Sequence, residues 1–227
     1  MKRQMLEAIL AARKGRQAVA VVTEVTTGTQ RLVKASEAAA DPLADALLQG
    51  FRFDRSSMVE NEQGQFFVSI HNPSLRLIIV GAVLIAQHVI SMAKGLGHDV
   101  CVVDPRGAFA TELRFPGVEL HAEWPEEIMP KLGLDARTAI IALTHVSAID
   151  DKALSLALKS PAFYIGALGS RKTQASRLAR LTAAGFSAAD LARIRGPIGL
   201  PIGAVGGPEI AISILAEMIK GLRLGLT

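Results

Sequence analysis

The chain has 227 residues, half of them hydrophobic, which suits one large domain, or one domain with a small appendage, around a sizeable core. Aromatic residues reach only 4%, too few for a stacking platform on single-stranded nucleic acid, and a formal charge of +4 does not imply a nucleic-acid partner. Cys101 is the only cysteine, so an internal disulfide is excluded and a cysteine metal cluster would need several chains.

The opening residues lack the long apolar segment of a signal peptide, and no apolar run reaches membrane-spanning length, so a cytoplasmic protein without a membrane span is expected. Residues 1–14 read as a short helix with Met5, Ile9 and Ala12 on one side. Ala18–Val25 reads as a strand that Thr27, Gly28 and Thr29 turn into Gln30–Lys34. Asp41 and Pro42 resemble an N-cap and a first-turn proline opening a helix towards Gly50. Met58–Glu60 and Gln65–Ile70 flank a hairpin turn at Asn61–Gly64. Residues 1–74 are therefore expected to form a small α+β module, left through a linker at His71–Ser74.

From Leu77 the pattern changes to strand–helix alternation. Strands are expected at 77–80, 99–103, 118–121, 138–143 and 162–166, and helices at 84–96, 125–132, 149–159, 171–184, 187–194 and 208–221. Alternation of this kind predicts a mainly parallel sheet with helices on both faces, a Rossmann-like domain over residues 75–227. Its first β-α-β carries Gly81 at the turn after the first strand and Asp104 at the end of the second, where a ribose-binding carboxylate would stand. The second glycine of the dinucleotide fingerprint is replaced by Val83, whose methyl groups occupy the place where a pyrophosphate meets bare backbone. Val83 thus disfavours NAD(P), although the fold alone would admit it.

Four loops at the strand ends carry polar chemistry. Asp104 is followed by Pro105 and Arg106, and Thr144 precedes His145. Gly166, Gly169, Ser170, Arg171 and Lys172 form the strongest anion site by sequence, with two glycines, a helix-capping serine and two cations. A last glycine-rich loop leads to Pro208 and Glu209 at a helix start. Residues 171–195 are strongly basic, either a solvated helix face or a wall beside an anionic ligand. His145 is placed for a general acid or a ligand, but it has no nucleophile or carboxylate partner nearby in sequence, so no catalytic residue and no metal ligand set is assigned. Cys101, inside an apolar strand, reads as a small hydrophobe.

Several blocks in order resemble the xanthine dehydrogenase accessory family, the XdhC/CoxI group. They are Val103–Arg106, Phe109–Ala110, Arg114–Pro116, Trp124–Pro125, Leu143–His145, Tyr164–Arg171 and Pro197–Ala204. The resemblance implies a maturation factor that binds the molybdenum cofactor, helps it receive sulfur from a cysteine desulfurase, and hands it to a molybdenum hydroxylase apoenzyme. It further implies a small N-terminal domain before a Rossmann-like one, and often a homodimer. The chain departs from the family's glycine-rich first turn at Val83 and Leu84, has Val146 after Thr144 and His145, and lacks an N-terminal Gly-Gly-Cys segment. On this reading Gly81, Asp104, Arg106, Thr144, His145, Gly166, Gly169, Ser170, Arg171, Lys172 and Glu209 face a carried molybdopterin, with Asp104 or Glu209 accepting from the pterin amine. A carrier rather than an enzyme is expected; an NAD(P)-dependent oxidoreductase and a scaffold without small-molecule turnover are the alternatives.

Overall fold

The computed structural model describes residues 3–225, so the first two residues of the expected N-terminal helix lie outside it. The chain divides into two compact units, the first ending at Pro73 and the second beginning at Ser74.

The first unit holds α1 (Arg3–Lys14), β1 (Val19–Glu24), β2 (Gln30–Lys34), a 3-10 turn at Ala35–Ala40, α2 (Ala44–Phe53), β3 (Ser57–Asn61) and β4 (Gly64–His71). Its sheet is antiparallel in the order β2-β1-β4-β3. Both expected hairpins are present, pairing Thr23 with Gln30 and Asn61 with Gly64. Ala20, Val22, Val33, Ala38, Leu43, Leu47 and Val68 make the core. Gly50 lets α2 sit close on the sheet, because a Cβ there would lie 2.7 Å from the Ile70 side chain. Asp41 does not cap α2 as expected. Arg31 pairs with its carboxylate, Oδ1 accepts the Leu43 amide at 2.9 Å, and the helix starts two residues beyond Pro42.

The second unit contains β5 (Arg76–Val80), α3 (Leu84–Gly95), β6 (Asp99–Val103), β7 (Glu119–His121), α4 (Pro125–Leu132), β8 (Thr138–Ala142), α5 (Ser147–Leu158), β9 (Tyr164–Ala167), α6 (Arg171–Ala183), α7 (Ala188–Leu191), β10 (Ile194–Arg195) and α8 (Gly207–Leu224). All its strand pairs are parallel, in the order β10-β9-β8-β5-β6-β7. Renumbered within the unit this is 6-5-4-1-2-3, the doubly wound order, with its reversal between β5 and β8. Those two strands are apolar on both faces because helices cover both. Leu77 and Ile79 pack with α3 and α8 residues, whereas Ile78 and Val80 pack with α4 and α5 residues.

The expectation of one helix over 187–194 is corrected. Ser187 caps a single turn ending at Leu191, and the chain then extends into β10, paired with β9 at Ile165 and Gly166. Two residues are too few for a period to show in sequence.

Because the sheet is wholly parallel, the turns after β5, β6, β8, β9 and β10 lie along one edge. That edge carries the polar residues singled out above.

Candidate functional site

At the sheet's reversal point the backbone is tightly closed. Gly81 has φ +119°, and a Cβ on it would lie 2.9 Å from the Thr144 methyl and 3.0 Å from the Thr144 nitrogen. Glycine is needed here for both conformation and space. The Gly81 turn therefore lies directly against Leu143 and Thr144 at the end of β8. Val83 stands half-buried and extended at the start of α3.

Asp104 is fully buried, and its carboxylate is saturated. Oδ1 accepts the Arg106 amide at 3.0 Å and Nε at 2.9 Å, while Oδ2 accepts the Ala82 amide at 2.8 Å and an Arg106 terminal nitrogen at 2.7 Å. A carboxylate offers about four acceptor positions, and all are taken. Burial alone would raise its pKa, but the Arg106 side chain and the two amides outweigh this and hold it below the usual carboxylate range. The expectation that Asp104 accepts from a ligand amine or a ribose diol is therefore corrected: it ties the β6 end to the Gly81–Ala82 turn and aims Arg106. That guanidinium stacks 4.5 Å from the Phe109 ring centre.

One further expectation changes, that for Gly166, while Glu209 stays exposed. Glu209 accepts the Val205 amide at 2.6 Å and so orders the loop before α8. Gly166 lies within β9, where a Cβ would collide with the Ile198 side chain. It is a packing glycine rather than a donor of loop amides. Gly169, at φ +144°, and Ser170, whose hydroxyl accepts the Thr173 amide at 3.1 Å, do shape the start of α6.

The polar groups that converge are those at the starts of α5 and α6. A cavity of about 340 Å³ is lined by His145, Ser147, Asp150, Lys172, Thr173, Ser176, Arg177 and Arg180. Of the residues singled out by sequence, His145 and Lys172 line it. Thr144 holds Asp150 from behind, and Arg171 is exposed and is not a lining residue. His145 has φ +59°, a conformation costing a non-glycine residue on the order of 1 kcal/mol, so the turn that presents it is held by its surroundings. The Thr144 hydroxyl donates to Asp150 Oδ1 at 2.6 Å and accepts the Val146 amide at 2.9 Å, which fixes that turn.

Asp150 and Arg177 each have 2% exposure; Arg177 belongs to the basic stretch 171–195, whereas no site role was expected of Asp150. Their charged groups lie 3.9 Å apart, too far for a hydrogen bond. Arg177 instead donates to Gln174 Oε1 at 2.6 Å and to the Leu168 carbonyl at 2.8 Å. Burial pushes the Asp150 carboxyl above its usual range, partly offset by Thr144, Arg177 and His145. Burial likewise draws Arg177 below the usual guanidinium value, though a guanidinium stays charged in proteins. Arg180 is held by Asp151 through contacts of 2.5 and 3.0 Å. The cavity thus offers cations, hydroxyls, one buried carboxylate and the starts of two helices.

Cys101 is 2% exposed, and burial pushes its thiol up to about 12, which makes it a hydrophobe at neutral pH. Among the described residues no group of three or more His, Cys, Asp or Glu is placed to hold a metal ion, and no helix is long and apolar enough to cross a membrane. A larger hollow, about 760 Å³, lies in the first unit beside Asp45, Phe53, Arg55 and Met58, with a mainly apolar lining.

Residues 77–218 match the family model of the XdhC Rossmann domain. Among curated relatives, the uncharacterized protein YqeB of Escherichia coli (strain K12) is 33% identical over 156 residues, covering 68% of this chain and 28% of that protein. A probable xanthine dehydrogenase subunit of Bacillus subtilis (strain 168) is 31% identical over 155 residues, 68% of this chain and 45% of that one. The molybdenum cofactor insertion chaperone PaoD of Escherichia coli (strain K12) is 32% identical over 152 residues, 67% of this chain and 41% of that one. The matched stretch is thus less than half the length of each of these relatives. In fold, the chain is similar to a crystal structure of a xanthine dehydrogenase from Bacillus halodurans, with a TM-score of 0.69 at 24% identity over 99% of this chain and 66% of that one.

Proposed function

The chain belongs to the family of the XdhC Rossmann domain, and from that premise we propose that it is a maturation factor for a molybdenum hydroxylase of the xanthine dehydrogenase type. It binds molybdenum cofactor and, after sulfuration, delivers it to the apoenzyme. The name of the relative PaoD, a molybdenum cofactor insertion chaperone, supports the cargo, and the name of the Bacillus subtilis relative supports the client. A cysteine desulfurase and a second copy of the chain are the further partners of this proposal.

The observation that carries it is the cavity between the starts of α5 and α6, where Lys172, Arg177, Arg180 and His145 meet Ser176 and the start of α5, which has no side-chain cap. Molybdopterin carries a phosphate, a pterin rich in hydrogen-bonding groups and a dithiolene-held metal. The cavity suits its anionic end, and the Arg106–Phe109 stack lies on the same sheet edge, with Arg106 half-buried and Phe109 exposed. A carrier must release as well as hold, which calls for binding groups rather than a nucleophile–base pair. The saturated carboxylate of Asp104 speaks against the nicotinamide alternative, since no acceptor remains for a ribose diol.

The experiment is purification of the chain from cells that make the cofactor, followed by fluorescence of the oxidised pterin. Near-stoichiometric pterin that falls when the apo-hydroxylase is added supports the proposal. Protein that carries no pterin, with and without the client, rejects it.

A further inference from the structure

We propose that the cleft between the first turns of α5 and α6 is a binding site for a tetrahedral oxyanion, held by Arg177, Lys172, Ser176 and His145 against the internal carboxylate of Asp150. For the cofactor's own phosphate this rests on the reading above; for a free oxyanion it does not.

Three observations point to such a ligand. The first is the convergence of two helix starts of 12 and 13 residues on one cavity, where α5 has no side-chain cap for its first amides. Uncapped amides and the positive end of the helix dipole favour an anion. The second is Arg177. It is 2% exposed, it lines the cavity, and its Nε has no hydrogen-bond partner among the described residues. A buried guanidinium left short of hydrogen bonds is costly, and an oxyanion in the cavity beside it would offset that cost through its charge. Gln174 and the Leu168 carbonyl hold the two terminal nitrogens at 2.6 and 2.8 Å, so the guanidinium is already oriented.

The third is the looseness of the buried pair. Asp150 stands 3.9 Å from Arg177 and is bound by Thr144 rather than by the arginine. A carboxylate that fully satisfied the guanidinium would close the site. One placed beside it, unbonded, lowers the affinity of an incoming anion and so favours release. This separates the site from the Gly166–Lys172 turn expected from sequence: Lys172 is shared, while Ser176 and Arg177 come from the second turn of α6 and Asp150 from the first turn of α5.

The test uses the full chain and isothermal titration with inorganic phosphate, a simple alkyl phosphomonoester and molybdate. Saturable binding of at least one is expected. Ser176→Asp puts a carboxylate at an exposed lining position without disturbing the core, and should weaken binding by at least about tenfold. Asp150→Asn should tighten it by about tenfold. Lys220→Ala, on α8 and not a lining residue, should change nothing. A phosphomonoester bound in preference to molybdate assigns the site to the cargo's phosphate; the reverse assigns it to the free oxyanion. The proposal is overturned by no binding of any of the three, by a folded Ser176→Asp protein that binds like the parent, or by a folded Asp150→Asn protein that binds more weakly. Pterin retention is measured in parallel. Retained pterin without anion binding sinks the oxyanion site alone, and anion binding without pterin sinks the carrier reading alone.

Discussion

Replacing Asp104 by asparagine tests whether the β6 end is structural. The side chain has no exposure and accepts four hydrogen bonds, two of them from the Arg106 guanidinium and two from backbone amides. Asparagine keeps one acceptor oxygen and turns an NH2 group towards donors. Hydrogen bonds to a charged group contribute roughly 1.5–3 kcal/mol each, but Arg106 retains 29% side-chain exposure and can recover water, so the two guanidinium bonds are discounted. A loss of about 3 kcal/mol is expected, lowering Tm by roughly 6–12 °C for a unit of this size. Trp124 is the only tryptophan and lies in the second unit, so its fluorescence follows this transition selectively. The pH dependence has a definite sign. A carboxyl held below its unfolded value of 3.8 contributes stability above that pH and loses it as pH falls through the folded value. The gap between parent and variant should be widest near neutrality and shrink below about pH 4. A Tm within about 2 °C of the parent at pH 7 would refute the structural role given to Asp104.

Gly81→Ala should cost about 2–4 kcal/mol in urea unfolding, since φ is +119° and the new methyl would press on Thr144 at 2.9–3.0 Å. Tyr164→Phe removes a 2.6 Å hydrogen bond to Glu217, which also accepts the Gly199 amide at 2.9 Å; a loss of about 1–2 kcal/mol is expected in the same assay. Cys101 should resist a thiol reagent at pH 8 in the native protein and react at once in denaturant, given its burial and a thiol pushed up to about 12.

The doubly wound sheet was readable because β5, β6 and β8 are apolar runs of strand length separated by helical stretches, and burial on both faces leaves no polar alternation to confuse them. The site was less so. Asp150 and Arg177 lie inside helices, where a charge is ordinarily read as solvated. A signal did exist: the buried residues of α6 are Gln174, Arg177 and Leu181, spaced at i, i+3 and i+7, so the arginine falls on the core-facing stripe. Asp150 likewise shares the buried stripe of α5 with Ala153, Leu154 and Ala157. A charged residue at an inward position is the clue that the loop-centred reading missed. The reverse error fell on Asp104, which looks available in sequence yet is saturated by Arg106 and two backbone amides. Whether a carboxylate is free depends on contacts 2 to 22 residues away, as the bonds from Arg106 and Ala82 to Asp104 show.

The carrier role is tested most directly by reconstitution. An apo-hydroxylase is incubated with sulfurated molybdenum cofactor, with and without the purified chain, and its activity is followed over time. Activation that is faster and more complete with the chain, and lost with Ser176→Asp, is the expected result. Activation that proceeds identically without the chain would contradict it.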